Sequence, residues 1–213
     1  MRISVIMPCY LSYFENGAIN RKSKFIRAVD SFVRQSLSSD KRELVIISDG
    51  CAETNEVTKK RYRKELAAGT IKLIELPDHY GFQGLTRQRG IDIADGEIIC
   101  NLDSDDYFLY HHLENLYLNF PIALFDWVYF NNIVKPDNVS NLEYWQDAEP
   151  MLGKLCNGNI AWKKGLDVSW NNCDGLHDNQ DFIAQLLTQY PKTNKKIYGC
   201  GYAIAHIKIE GVQ

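Results

Sequence analysis

Residues 98–106 read Ile98-Ile99-Cys100-Asn101-Leu102-Asp103-Ser104-Asp105-Asp106. The apolar first half predicts a buried strand over residues 98–102. Three carboxylates within four positions follow this strand directly. In an open parallel sheet, ligands bind outside the carboxyl ends of the strands, where the loops converge. The stretch therefore predicts an acidic ligand site at the edge of a parallel sheet.

Other apolar runs alternate with segments of helical spacing toward the N-terminus. The pattern predicts strands over residues 3–7, 44–47 and 71–76, and helices over residues 25–36, 56–68 and 85–94. Such alternation is typical of an α/β fold with a mostly parallel, Rossmann-like central sheet flanked by helices. After residue 106 the alternation is lost. There the pattern predicts helices over residues 112–118 and 178–187, and strands over residues 127–134 and near 197–207.

The composition limits the classes of partner. Lys and Arg total 24 against 27 for Asp and Glu, and a net charge of −3 gives no electrostatic footprint for nucleic acid or an anionic membrane. No stretch approaches the ~20 apolar residues of a membrane span, and the N-terminus lacks a signal-peptide pattern. Six scattered cysteines without a C-x-x-C pair favour free thiols. We therefore predict a cytoplasmic protein with no membrane span and no nucleic-acid partner.

The acidic tetrapeptide at residues 103–106 favours a divalent cation. Adjacent carboxylates repel one another unless a cation compensates them, and hard oxygen ligands select Mg²⁺ or Mn²⁺. Such ions complete their shell with substrate phosphates. A solvated acidic turn is the plain alternative. An EF-hand is excluded because Tyr107 and Phe108 stand where a fifth-position oxygen ligand and the sixth-position glycine are needed.

Several segments together resemble glycosyltransferase family 2 of the GT-A fold. Val5 to Tyr10 is similar to the family's first strand, "VSVIIPTYN", and residues 43–51 are similar to "EIIVVDDGS", with Ser48 in place of the first Asp. Residues 84–96 resemble "G…ARNxGi..A.Ge", and residues 102–106 resemble "lDaDD". The likeness is weaker in the second half, where residues 175–182 resemble "GEDxDf" and residues 202–206 resemble "YRxH" without its Arg.

The resemblance implies a role for each matching residue. Asp49 would contact the uracil base, and a metal on the diphosphate would be bound by Asp103, Asp105 and His206. Asp178 would be the general base, with Asp181 in reserve. The residues implied to bind the nucleotide-sugar donor are Pro8, Tyr10, Asp49, Arg87, Asp103 and Ser104.

Plainer interpretations stand beside four of these roles. Asp49 could be only a turn former, Arg87 a surface arginine, Asp178 a helix cap and His206 a structural histidine. A separate prediction concerns an aromatic platform for a sugar, for which core packing is the competing interpretation. Its members would be Trp162, Trp170 and Tyr144.

The resemblance implies a single GT-A-like domain over residues 1–213, with a nucleotide-binding half (1–106) and an acceptor and site-completing half (107–213). It implies an enzyme that uses Mn²⁺ or Mg²⁺ to move a sugar from a UDP-sugar to a glycan or glycoconjugate acceptor. The sequence lacks the Q-x-x-R-W motif of the family's processive synthases, which predicts a non-processive enzyme. Inversion is favoured and retention stays open. One alternative is a sugar nucleotidyltransferase, which would need a Lys-rich loop after the first strand; residues 8–17 carry no Lys or Arg. The other is a catalytically silent nucleotide-sugar-binding module of a larger protein.

Overall fold

The computed structural model describes residues 1–13, 20–135, 143–172 and 178–204, with the side chains of residues 172 and 178 excepted. The strands are β1 (Ile3–Cys9), β2 (Arg42–Ser48), β3 (Ile71–Glu75), β4 (Ile98–Asn101), β5 (Tyr107–Phe108), β6 (Trp127–Tyr129), β7 (Asn132–Val134), β8 (Tyr144–Gln146), β9 (Ile160–Lys163), β10 (Asn194–Lys196) and β11 (Tyr202–Ile204). The α-helices are α1 (Arg21–Val33), α2 (Ala52–Arg61), α3 (Arg63–Ala67), α4 (Gln83–Ile93), α5 (His112–Asn119) and α6 (Asp178–Gln189).

A mostly parallel sheet lies at the centre of the described residues. Its order is β10-β6-β9-β4-β1-β2-β3, and β9 runs antiparallel between β4 and β6. A smaller sheet has the order β5-β11-β7-β8. The chain runs outward from β1 through β2 to β3 and then returns to place β4 on the other side of β1. This reversal creates a crevice between the carboxyl ends of β1 and β4, the usual ligand position in such sheets.

The central strands are buried on both faces, as their apolar runs predict. All seven residues of β1 and of β2 are buried. Alternate side chains enter two cores: Val5 packs in the core that includes the apolar face of α1, and Ile6 packs in the other. Gly90 of α4 lies against the second face, where an added Cβ would approach Ile47 Cδ1 to 2.6 Å. The predicted α/β class, with helices flanking a mostly parallel sheet, is confirmed.

Two elements that were predicted to be continuous are interrupted in the structure. The helix expected over residues 56–68 breaks at Tyr62, whose ring is buried and whose hydroxyl donates to Asp30 Oδ1 at 2.9 Å. The strand expected over residues 127–134 is divided between the two sheets. β6 belongs to the central sheet and β7 to the smaller one, and Phe130 and Asn131 connect them. No helix of the described residues is long and apolar enough to cross a membrane.

His112 of α5 is a buried titratable group. Its ring stacks on Phe108 with centroids 4.1 Å apart, and among the described residues neither ring nitrogen has a hydrogen-bond partner. Burial lowers the pKa of His112 from 6.5 to about 3. Between these values the unfolded chain binds a proton that the folded chain does not, so the free energy of unfolding falls with decreasing pH. The slope is about 1.4 kcal/mol per pH unit.

The variant His112→Phe is therefore expected to resist acid better than the wild type. Urea denaturation at pH 7.5 and pH 5 gives the pH-dependent loss of stability, and this loss should shrink by about 2 kcal/mol in the variant. The control is His111→Gln, which alters the neighbouring histidine, whose side chain is 61% exposed. An equal loss in His112→Phe and the wild type would show that His112 is not a source of acid sensitivity.

Candidate functional site

A cavity of about 290 Å³ lies at the carboxyl ends of the central strands. It brings together four of the residues predicted to bind the sugar donor, namely Pro8, Tyr10, Asp49 and Ser104. Its other lining residues are Cys9, Arg21, His79, Gly81, Gln83 and Thr86. The cavity therefore lies at the crevice that the strand order creates.

Asp49 is buried at the end of β2 and binds the loop that follows β3. Its carboxylate accepts from the backbone N–H of Tyr80 at 2.9 Å and of Gly81 at 3.4 Å, and Oδ2 lies 2.8 Å from Nδ1 of His79. Gly50 has a φ of +63°, and a Cβ there would lie 2.5 Å from the carbonyl carbon of Asp78. Asp49 thus shapes the turn and also faces the cavity. The contact of Asp49 with the uracil base stays a prediction.

An aromatic pair forms one wall of the cavity. The Tyr10 ring stacks on the His79 imidazole, with centroids 3.9 Å apart and an interplanar angle of 20°. The guanidinium carbon of Arg21, at the start of α1, lies 5.8 Å from the centroid of the Tyr10 ring. One wall is therefore flat and aromatic, with a cation near it, a surface suited to a planar or anionic group.

Asp103 follows β4 and is held by two buried side chains. Its Oδ1 accepts from Arg87 Nη2 at 2.7 Å, and Asn157 Nδ2 lies 3.2 Å from Oδ1 and 3.3 Å from Oδ2. The Arg87 side chain is 1% exposed, and its guanidinium carbon lies 5.0 Å from the centroid of the Trp170 ring. The interpretation of Arg87 as a surface arginine is therefore wrong. In this structure Arg87 acts on the site through Asp103, whose carboxylate is 27% exposed.

The rest of the acidic loop is also fixed to the fold. Asp106 is buried, and its Oδ2 accepts from the Tyr202 hydroxyl at 2.6 Å. The main-chain carbonyl of Asp105 accepts from Arg27 Nη2 at 2.7 Å, which ties the loop to α1. Asp106 is thus a structural anchor, whereas the side chain of Asp105 is only partly buried.

The acidic loop suits a hard divalent cation that shares its shell with a ligand. Within the described part of the chain, no group of three or more His, Cys, Asp or Glu side chains is arranged to hold a metal by itself. Asp103 and Asp105 would supply two carboxylates, the usual protein contribution where Mg²⁺ or Mn²⁺ also binds substrate phosphates. These two residues therefore fit such an ion. The predicted ligand His206 lies outside the described residues.

The predicted base lies at the start of α6. The helix begins at Asp178, whose side chain lies outside the described part of the structure, and Asp181 follows in the first turn, partly buried. Phe182 anchors the helix by stacking on Trp170 with centroids 4.3 Å apart. The predicted aromatic platform is wrong in two of its three members, since Trp162 and Trp170 are buried in the core.

The sequence profile described as "Glycosyl transferase family 2" matches residues 4–171 of this chain. The chain belongs to glycosyl transferase family 2. It is 30% identical over 118 residues to the poly(ribitol-phosphate) beta-N-acetylglucosaminyltransferase TarP of Staphylococcus aureus (strain N315), a match that covers 54% of this chain and 32% of TarP.

Solved structures share the fold of this family member. The crystal structure of S. aureus TarS 1-349 in complex with UDP-GlcNAc matches with a TM-score of 0.72 at 17% identity, covering 99% of this chain and 60% of that one. A mannosyltransferase from Pyrobaculum calidifontis in complex with GDP-Man and Mn²⁺ matches with a TM-score of 0.64 at 17% identity, covering 98% and 58%. The match to TarP spans about a third of that relative's length.

Arg21, His79 and Asn157 are among the residues of this family member's site that were not predicted from the sequence. Arg21 and His79 line the cavity, and Asn157 contacts Asp103. The loop that carries His79 follows β3, so its place at the carboxyl edge of a parallel sheet was an available signal. Asn157 lies in an Asn- and Gly-rich segment with no local pattern that connects it to the acidic loop. Only the tertiary fold brings it there.

Proposed function

We propose that this family member transfers a sugar from a UDP-sugar to a hydroxyl group of a glycan or glycoconjugate, with Mn²⁺ or Mg²⁺ as cofactor. The observation that carries the proposal is the acidic loop: its Ser104, which stands between Asp103 and Asp105, lines the same cavity as Asp49 and Tyr10. If the uracil base of the donor lies beside Asp49 and its diphosphate lies beside the acidic loop, the sugar of the donor lies toward the second half of the chain. TarS, a neighbour in fold, has been crystallised with UDP-GlcNAc.

Each residue of the proposed donor site would have a separate role. Asp49 and the Tyr10 wall would orient the nucleoside, and Ser104 would lie beside the diphosphate. Asp103 and Asp105 would hold the divalent ion, which supplies positive charge where the leaving diphosphate becomes more negative. The mannosyltransferase with GDP-Man and Mn²⁺ supports a divalent cofactor by its similar fold.

Acceptor activation needs a carboxylate on the face of the sugar opposite the leaving diphosphate. We propose Asp178 for this role, with Asp181 in reserve, because both lie at the start of α6, in the half of the chain predicted to hold the acceptor. Inversion is favoured, since TarP is named as a beta-transferase and UDP-GlcNAc carries an alpha linkage. Retention is the alternative outcome.

The acceptor is proposed to be a hydroxyl-rich polymer. TarP is named for poly(ribitol-phosphate), which makes this polymer the first acceptor to test beside neutral glycans. We also propose a cytoplasmic location. All five cysteines in the described ranges are free thiols, the usual state in a reducing compartment.

The proposal is tested by measuring UDP release from UDP-glucose and UDP-GlcNAc, with and without Mn²⁺ and poly(ribitol phosphate). The expected result is release that requires the metal and rises with the acceptor. Binding of UDP-sugar without release would favour the nucleotide-sugar-binding module. Synthesis of a UDP-sugar from UTP and a sugar 1-phosphate would favour the nucleotidyltransferase.

A further inference from the structure

The 3₁₀ turn Asn157–Asn159 reaches the acidic loop from the second half of the chain. Asn157 is 4% exposed, and its amide Nδ2 lies 3.2 Å and 3.3 Å from the two carboxylate oxygens of Asp103. The two residues are 54 positions apart in sequence. The contact therefore links the two halves of the chain at the atoms proposed to hold the metal.

The turn that carries Asn157 is held by hydrogen bonds on both sides. The Asn101 amide donates to the main-chain carbonyl of Asn157 at 3.2 Å, and the Asn159 amide donates to Asn132 Oδ1 at 3.1 Å. Gly158 lies directly beneath the Tyr202 ring, where an added Cβ would approach Cζ to 2.2 Å. A side chain at this position would clash with the Tyr202 ring, so the turn could not keep its place. The backbone thus holds the Asn157 amide toward Asp103.

Asn157 contributes something that Arg87 does not. Arg87 contacts Asp103 through Oδ1, and one contact leaves the carboxylate able to rotate about its Cβ–Cγ bond, because this torsion has broad minima. Asn157 lies within hydrogen-bond distance of both oxygens and so restricts that rotation. The Asn157 amide is neutral. Of these two partners, only Arg87 offsets the negative charge of the Asp103 carboxylate.

We propose that Asn157 is a positioning residue that sets the plane of the Asp103 carboxylate and thereby the geometry of the metal site. The role in metal binding rests on the proposed function, whereas the role in carboxylate orientation does not. Groups that orient metal ligands from outside the coordination shell change metal affinity by about 10–100-fold when they are removed. Loss of Asn157 should therefore weaken the metal while the fold remains.

The test uses the variants Asn157→Ala and Asn157→Leu of the full chain, the second of which keeps most of the volume. Thr58→Ala is the matched control, because Thr58 is a fully buried polar residue whose hydroxyl donates to the Thr54 carbonyl within α2, at 2.7 Å. Crystal structures of each protein report the plane of the Asp103 carboxylate. Electron paramagnetic resonance titration with Mn²⁺, in the presence of UDP, reports metal affinity.

Both Asn157 variants should show a rotated or multiply placed Asp103 carboxylate and Mn²⁺ affinity about 10-fold weaker, with Thr58→Ala near wild type in both. An unchanged carboxylate plane in the Asn157 variants would overturn the proposal. Equal weakening in Thr58→Ala would overturn it as well, because it would show a general loss of structure. If the wild type binds no Mn²⁺ with UDP, the proposed function fails, and the carboxylate plane alone decides the role of Asn157.

Discussion

Replacing Asp105 by alanine is expected to lower the rate of sugar transfer by about 10³-fold or more. Asp105 supplies one of two carboxylates proposed for the divalent ion, and the loss of charge stabilisation at the leaving group costs at least as much as the loss of one oxyanion contact. The loop itself should keep its place. Its main-chain carbonyl at Asp105 accepts from Arg27, and Asp106 is anchored separately by Tyr202. Initial rates of UDP release, with purified protein and saturating Mn²⁺, measure the effect.

The matched control for Asp105→Ala is Asp40→Ala. Asp40 is exposed and lies in a short turn just before β2, at the amino ends of the strands and far from the cavity. Its variant should retain wild-type rates. A rate within a few-fold of wild type in Asp105→Ala, with unchanged dependence on metal concentration, would remove Asp105 from the metal site.

Asp178→Asn is expected to lower the rate of transfer by about 10²–10⁴-fold while leaving UDP affinity unchanged. The amide is close in size to the carboxylate but accepts no proton from the acceptor hydroxyl, and general-base catalysis contributes about 10²–10⁴-fold. The maximal rate of acceptor-dependent transfer should fall by this factor. Calorimetric titration with UDP and Mn²⁺ should give the same dissociation constant as for the wild type.

The neighbouring carboxylate provides the comparison for Asp178→Asn. Asp181 lies in the first turn of the same helix, and Asp181→Asn alters helix charge in the same way. If Asp178 is the base, Asp181→Asn should keep most of its activity. The reverse pattern, a normal rate in Asp178→Asn and a large loss in Asp181→Asn, would transfer the role to the reserve residue.

The first half of the fold was predictable because its signals are local. The apolar runs of β1, β2 and β4 are each followed by polar turn residues. Alternation of strands and helices favours a parallel sheet, whatever the sequence of the connecting loops. The edge of the sheet where Asp49 and Asp103 lie then follows from strand direction alone. Hence the location of the cavity could be predicted without knowing any side-chain contact.

The errors arise where tertiary packing decides. Tyr62 ends a helix early because its ring is buried and its hydroxyl reaches Asp30, a residue 32 positions away. Arginine is usually an exposed residue, yet the charge of Arg87 is buried beside Asp103 and the Trp170 ring. Neither partner is visible in a local window of sequence. Asn157 was missed for the same reason.

The most direct test of the central claim is calorimetric titration of the wild-type protein with UDP, in Mn²⁺ and again in a metal chelator. The claim is that the acidic loop beside the cavity binds the diphosphate through a divalent ion. We expect UDP to bind at least about 10-fold more tightly with Mn²⁺, since a bound ion adds strong attraction to the phosphates. Equal affinity in Mn²⁺ and in chelator would contradict the account.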